Sequence, residues 1–273
     1  MGFAAVLVLA LGVFARVLGQ KKLRFPYLNS PIAQAEYQAL ASQPGWAARR
    51  ITVAPAIRLN GLVRRPESAD APWVLFYQGN DSQMLKVGQA FLSRLADGRD
   101  WGLAIFAYRG YDSSDGVPRL PVLAADAPEI LEQLCVSERV DRGRVHVIGF
   151  SIGGHLAVRA LVSAARLSPK PPSLTLLASV DEITMVPRSF YDKFDPGDDF
   201  HTVPFLADIP APVLVVQGTK DEALAGPEQG RSIAAALGAR ARYLERPGVG
   251  HVELMENEPT LAAVREFILG HAK

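Results

Sequence analysis

The chain has 273 residues, 49% hydrophobic and 21% charged, which suits one large α/β domain or two small ones with a sizeable core. Its 29 basic and 28 acidic residues leave a net charge of +1, so neither nucleic acid nor a strongly acidic partner is expected. The single cysteine, Cys135, excludes an intrachain disulfide. No cysteine and histidine spacing suits a structural metal, and none is expected.

Residues 1–19 are mostly apolar, with a run from Phe3 to Leu11 and Arg16 as an interruption. The segment is just long enough for a marginal membrane span. It reads as an uncleaved anchor attaching the protein to a membrane through residues 3–19. Lys21, Lys22 and Arg24 follow it, with no basic residue before it, which would hold the downstream domain in the cytoplasm. The alternatives are a signal peptide cut near Val13-Phe14-Ala15, giving a secreted or periplasmic protein, and a helix buried on the domain surface. The missing basic n-region weighs against the signal peptide.

Residues 20–48 read as a connector, with a short helix capped by Ser30, Pro31 at its first position, and Ile32, Tyr37 and Leu40 on one face. The main domain is expected over residues 49–273. It opens with strands at Arg50–Val53 and Ile57–Val63, with Asn60-Gly61 at or near a turn or bulge.

From Trp73 the pattern alternates. Apolar runs at 73–77, 103–108, 145–148, 174–178 and 213–216, and a weaker one at 241–244, read as strands. Between them, Met84, Val87, Phe91 and Leu95 fall at helical spacing, as do Ala127, Ile130 and Leu134. So do Leu156, Ala160 and Ala164, then Ile233 and Leu237, then Leu261, Val264 and Ile268. Cys135 falls in the second of these patterns and reads as a small core residue. Strands apolar on both faces, alternating with helices, predict a mostly parallel sheet covered on both sides.

In such sheets chemistry lies beyond the carboxyl ends of the strands. Gln78-Gly79-Asn80-Asp81-Ser82 follows the first parallel run, and Arg109-Gly110-Tyr111-Asp112 the second. The third ends in Gly149-Phe150-Ser151-Ile152-Gly153, a strand, sharp turn and helix with a serine at the apex. Gln217-Gly218-Thr219-Lys220-Asp221 and Pro247-Gly248-Val249-Gly250-His251 follow two later strands. A serine, an acid and a histidine thus occur in the order that a Ser-His-Asp hydrolase of the α/β type requires.

On Gly79-Asn80, Tyr108-Arg109-Gly110-Tyr111, Gly149-Phe150-Ser151-Ile152-Gly153-Gly154, Gly218-Thr219-Lys220-Asp221 and Gly250-His251, the chain resembles the α/β-hydrolase superfamily. Within it, the chain looks most like the serine aminopeptidase and esterase-lipase group of short-capped members. The resemblance runs from about Ile51 to the C-terminus. It implies a catalytic triad of Ser151, Asp221 and His251, an oxyanion hole from the amides of Asn80 and Ile152, a small-molecule acyl substrate and no cofactor. The chain departs from the family pattern at Gln78, where histidine is usual, and at Asp112, where glycine is usual. Glutamine can support the first loop by hydrogen bonding, as histidine does.

Several rival assignments are weighed against these. Glu222 or Asp181 could replace Asp221 as the acid. His155 reads as packing, and His146 and His201 receive no catalytic role. Asp112, Asp115, Asp195, Asp198 and Asp199 read as loop residues. Met185, Phe190, Tyr191, Phe194 and Phe205, between Val180 and Pro212, could roof an acyl pocket or merely pack on the sheet. The activity expected is cleavage of a carboxylic ester or thioester. An aminopeptidase, with Asp112 or Asp198-Asp199 holding the substrate amine, and a non-catalytic binding relative are the alternatives.

Overall fold

The computed structural model describes residues 32–81, 83–182, 201–221 and 226–272. The apolar run at residues 3–19 and the Ser30-Pro31 pair lie outside them. Among the described residues no helix is long and apolar enough to cross a membrane.

Eight strands form one sheet: β1 Trp46–Ala54, β2 Ile57–Arg64, β3 Trp73–Tyr77, β4 Gly102–Phe106, β5 Val145–Phe150, β6 Leu174–Leu177, β7 Val213–Gly218 and β8 Ala241–Arg246. Their spatial order is β1-β2-β4-β3-β5-β6-β7-β8. β1, β2 and β4 pair antiparallel, and every pairing from β4 onward is parallel. Each residue of β3, β4, β5, β6 and β7 is buried. That is the signature of parallel strands covered on both faces. Six helices are described: α1 Gln34–Ala41, α2 Met84–Ala96, α3 Leu120–Glu138, α4 Ile152–Ala164, α5 Pro227–Leu237 and α6 Glu258–His271. The expected mostly parallel sheet, with its order of elements, is therefore present.

Two expectations near the start of the chain are corrected. The first helix begins at Gln34 rather than at Pro31, because Ala33 is still extended, with φ −63° and ψ 139°. It also packs into the domain. Tyr37 and Leu40 join the main core, and Tyr37 Oη donates to the carbonyls of Arg49 and Gly61. The β1–β2 reversal falls at Pro55-Ala56, with Ala56 at φ 59°. Asn60-Gly61 instead lies mid-strand, where Asn60 pairs with Arg50 and Gly61 with Arg49. A Cβ on Gly61 would strike the Phe106 ring, so this glycine serves close strand-to-ring packing and not a turn.

Candidate active site

β5 and α4 meet at Ser151, which sits at φ 55° and ψ −126°, a conformation that serine occupies only at a cost. Two glycines permit the sharp reversal. A Cβ on Gly149 would come within 2.6 Å of Gly153 O, and one on Gly153 would strike the carbonyl oxygen of Tyr77 in the neighbouring strand. The helix consequently starts directly against the ends of β3 and β5. Ser151 is 6% exposed. Its neighbour Ile152 opens α4, where an amide has no intrahelical acceptor and the helix dipole favours negative charge.

The expected base and acid are brought together. Asp221 follows β7 and His251 follows β8, and these two strands are parallel neighbours. His251 Nδ1 lies 2.6 Å from Asp221 Oδ2. The carboxylate is fully buried, and the histidine side chain is 13% exposed. The His251 ring packs on Phe150, the residue before Ser151, with centroids 4.8 Å apart. Ser151, Asp221 and His251 thus each follow the carboxyl end of a strand of one sheet, His251 meeting Asp221 and packing on the residue before Ser151.

The rival acid is committed elsewhere. Asp181 accepts from Val203 N at 3.0 Å and from Ser232 Oγ at 2.7 Å. His201 Nε2 lies 3.6 Å from it. These bonds tie the stretch after β6 to the 3₁₀ turn Val203–Asp208 and to α5. Glu222, the other rival, lies outside the described residues.

The turn after β3 lies beside the serine: a Cβ on Gly79 would stand 3.0 Å from Ser151 Cβ. Gln78 Oε1 accepts from Gly79 N at 2.9 Å, so glutamine braces the turn by a hydrogen bond, as expected. Its Nε2 is buried with no partner among the described residues. Tyr108 Oη donates to Gln78 O, and Tyr111 Oη to Asn80 Oδ1, both at 2.7 Å. Asn80 is thereby held in the turn whose Gly79 lies against Ser151. The bracing hydroxyls of Tyr108 and Tyr111 were not assigned from sequence. A pair of tyrosines just past a strand end was the available signal, but nothing in a sequence says which carbonyl each one meets.

Arg109 spans Asp126 of α3 through Nε and Nη2, at 2.5 and 2.6 Å. That carboxylate raises the guanidinium's already high pKa further. Asp112 is a turn residue, as expected, but a buried one. It is 1% exposed, and burial foremost pushes its carboxyl up to about 6. Its Oδ2 accepts from Leu85 N at 2.6 Å. Asp115 is a loop residue paired with Arg58.

His155 and His146 are buried and bonded to hydroxyls. His155 Nδ1 is 3.1 Å from Thr202 Oγ1, and burial, then Arg159 and His201, push its pKa down to about 3. His146 Nδ1 is 2.7 Å from Ser173 Oγ. Phe205 stands edge-on to His155 and lies under Arg159, so its role is packing. Met185, Phe190, Tyr191, Phe194, Asp195, Asp198 and Asp199 lie outside the described residues. Cys135, expected as a small core residue, is half-buried and packs against the core, and burial raises its thiol to about 12. Among the described residues no cluster of three or more histidine, cysteine or acidic residues could hold a metal ion.

No family model matches the chain. The chain is 31% identical over 205 residues to an uncharacterised protein of Mycobacterium tuberculosis, an alignment covering 72% of this chain and 69% of that one. It is 26% identical over 206 residues to the α/β-hydrolase domain-containing protein WAV2 of Arabidopsis thaliana, covering 67% of this chain and 64% of the other. Among solved structures, an esterase of Pyrococcus furiosus superposes with a TM-score of 0.69 at 16% identity, covering 93% of this chain and 99% of that one. A proline iminopeptidase of Mycobacterium smegmatis superposes with a TM-score of 0.67 at 17% identity, covering 83% and 99%. Identities this low establish a common fold and no more.

Proposed function

Because this chain belongs to the α/β-hydrolase superfamily, we propose that it is a serine hydrolase cleaving a carboxylic ester or thioester through an acyl-Ser151 intermediate. One observation carries the reading. A strained serine sits at a strand–helix apex, and the residue before it packs against a histidine whose Nδ1 is 2.6 Å from a buried carboxylate. With Nδ1 held by Asp221, the Nε2 of His251 is left to act on the serine hydroxyl.

The roles follow from the chemistry. His251 takes the Ser151 proton as the hydroxyl attacks the carbonyl, then gives it to the leaving group. Asp221 fixes the histidine tautomer and stabilises the imidazolium. The amides of Ile152 and Asn80 hold the oxyanion, each worth on the order of 10²–10³ in rate. Water then repeats the cycle to release the acid. None of these steps calls for a metal or an organic cofactor. The burial of Asp112 removes one acid on which an aminopeptidase reading relied, so the ester reading is preferred. The apolar segment at residues 3–19 supports attachment to a membrane, which alkaline extraction of membrane fractions tests.

Labelling with a fluorophosphonate probe, followed by turnover of p-nitrophenyl esters and aminoacyl anilides, tests the function. The folded wild-type protein should label at Ser151 and prefer the esters. Ser151→Ala should abolish labelling and lower turnover by about 10⁶. A folded wild-type protein that does not label would sink the hydrolase reading.

A further inference from the structure

Past β4 the chain forms a short strap, Tyr108 to Asp112, that grips the neighbouring turn at three points. Tyr108 holds Gln78 O, Tyr111 holds Asn80 Oδ1, and Asp112 Oδ2 receives Leu85 N. The three contacts lie before, within and beyond the turn that presents the Asn80 amide. The strap is itself anchored from β2, where Asn60 Nδ2 donates to Asp112 O at 3.0 Å.

The third grip differs in kind from the other two. At the start of α2, Asp81 Oδ1 takes the amide of Gln83 at 2.9 Å and leaves the amides inside the first turn to other partners. Its N-cap residue, Gln83, makes no side-chain cap bond, and the first turn itself holds no acid. Asp112 supplies from a distant loop the acceptor for the Leu85 amide, inside the first turn, and with it a further negative charge of the kind a helix N-terminus favours. This arrangement is costly. Asp112 and Ser113 sit at φ 43° and 61°, where residues with side chains are strained. The charged groups facing the carboxylate are Asp81 from the turn and Glu36 from α1. Glu36 is itself 3.8 Å from Lys86 of α2. Burial, then the two like charges, raise the carboxyl's pKa against the lowering effect of the Leu85 amide. A neutral residue could cap the helix without that penalty. A costly buried acid next to candidate catalytic groups is a mark of function.

We propose that Asp112 is a positioning residue of the hydrolytic site, its ionised carboxylate clamping the first turn of α2 so that the Asn80 amide stays where the oxyanion develops. The inference rests on the serine-hydrolase reading. It predicts that loss of the carboxylate, or of its charge, weakens transition-state binding and leaves substrate binding nearly intact.

Two variants separate these effects. Asp112→Gly suits the positive φ and deletes the carboxylate, whereas Asp112→Asn keeps an acceptor without the charge. We would measure kcat and KM for p-nitrophenyl acetate between pH 5 and 8, with fluorophosphonate labelling of Ser151 alongside. Asp112→Gly should lose tenfold or more in kcat, with KM within twofold. The wild-type to Asp112→Asn ratio of kcat should be several-fold at pH 8 and approach one at pH 5, where the wild-type carboxyl has taken up its proton. Should Asp112→Gly not fold, that ratio decides alone. An active wild type with Asp112→Gly within twofold in kcat, or a ratio unchanged from pH 5 to 8, overturns the role of Asp112 only. A folded wild type that neither labels nor turns over ester overturns the hydrolase reading and this inference with it.

Discussion

Asp221 and Asp181 each follow a strand of the same parallel sheet, yet only Asp221 meets His251, at 2.6 Å. Asp181 spends its two oxygens on Val203 N and Ser232 Oγ. The two acids should therefore respond differently to the same change. Asp221→Asn should lower kcat by about 10⁴, since the imidazole tautomer is no longer fixed, with little change in melting temperature. Asp181→Asn should keep kcat within a few-fold but cost about 1–3 kcal/mol of stability through its buried bonds. Ester kinetics and thermal melts on both variants decide. A catalytic collapse in Asp181→Asn would reverse the assignment.

Gly153 tests the geometry of the serine turn. A Cβ there meets backbone oxygens of Tyr77 and Gln78, the latter at 2.5 Å. Backbone cannot yield as the end of a flexible side chain would. Gly153→Ala should cost about 1–3 kcal/mol and abolish fluorophosphonate labelling even where the protein stays folded. Gly270→Ala on α6 has nothing within 4 Å of the new Cβ and should change neither the melting temperature nor labelling.

Much of this was legible in the sequence because it follows from short-range pattern. Buried parallel strands show as unbroken apolar runs such as Trp73–Tyr77. The glycines around Ser151 report a turn that larger residues would block. Asp221 and His251 could be paired because each follows a strand end. What stayed hidden depends on contacts between distant segments. Asp112 reads as a loop residue, and it is one, but no pattern in residues 108–116 shows that its side chain is buried against the first turn of α2. Asn60-Gly61 reads as at or near a turn or bulge because that dipeptide favours one. Its setting in mid-strand follows from the ring of Phe106, two strands-worth of sequence away.

Tyr111 offers a milder perturbation of the same neighbourhood. Its hydroxyl donates to Asn80 Oδ1 at 2.7 Å, and the residue is fully buried. Tyr111→Phe keeps the ring and removes one hydrogen bond, so stability should fall by only about 1 kcal/mol. If Asn80 contributes an oxyanion donor, kcat should fall several-fold while KM hardly moves. A change confined to KM would show that the bond shapes substrate binding instead.

The raised pKa of Asp112 also makes a stability prediction that needs no substrate. Its carboxyl moves from the ordinary 3.8 to about 6 on folding, so the folded state holds the proton more tightly than the unfolded chain. The stabilising effect of that proton is fully present below pH ~3.8 and is lost as pH rises through about 6. Above that, the ionised, buried carboxylate burdens the fold by about 2 kcal/mol, allowing for partial screening. Asp112→Asn carries no such titration. The melting temperature of the variant relative to wild type should therefore climb between pH 4 and 7 and level off above. Melts of both proteins across that range, in one buffer series at fixed ionic strength, measure the difference directly. A difference that stays flat would mean that Asp112 titrates as an ordinary exposed acid.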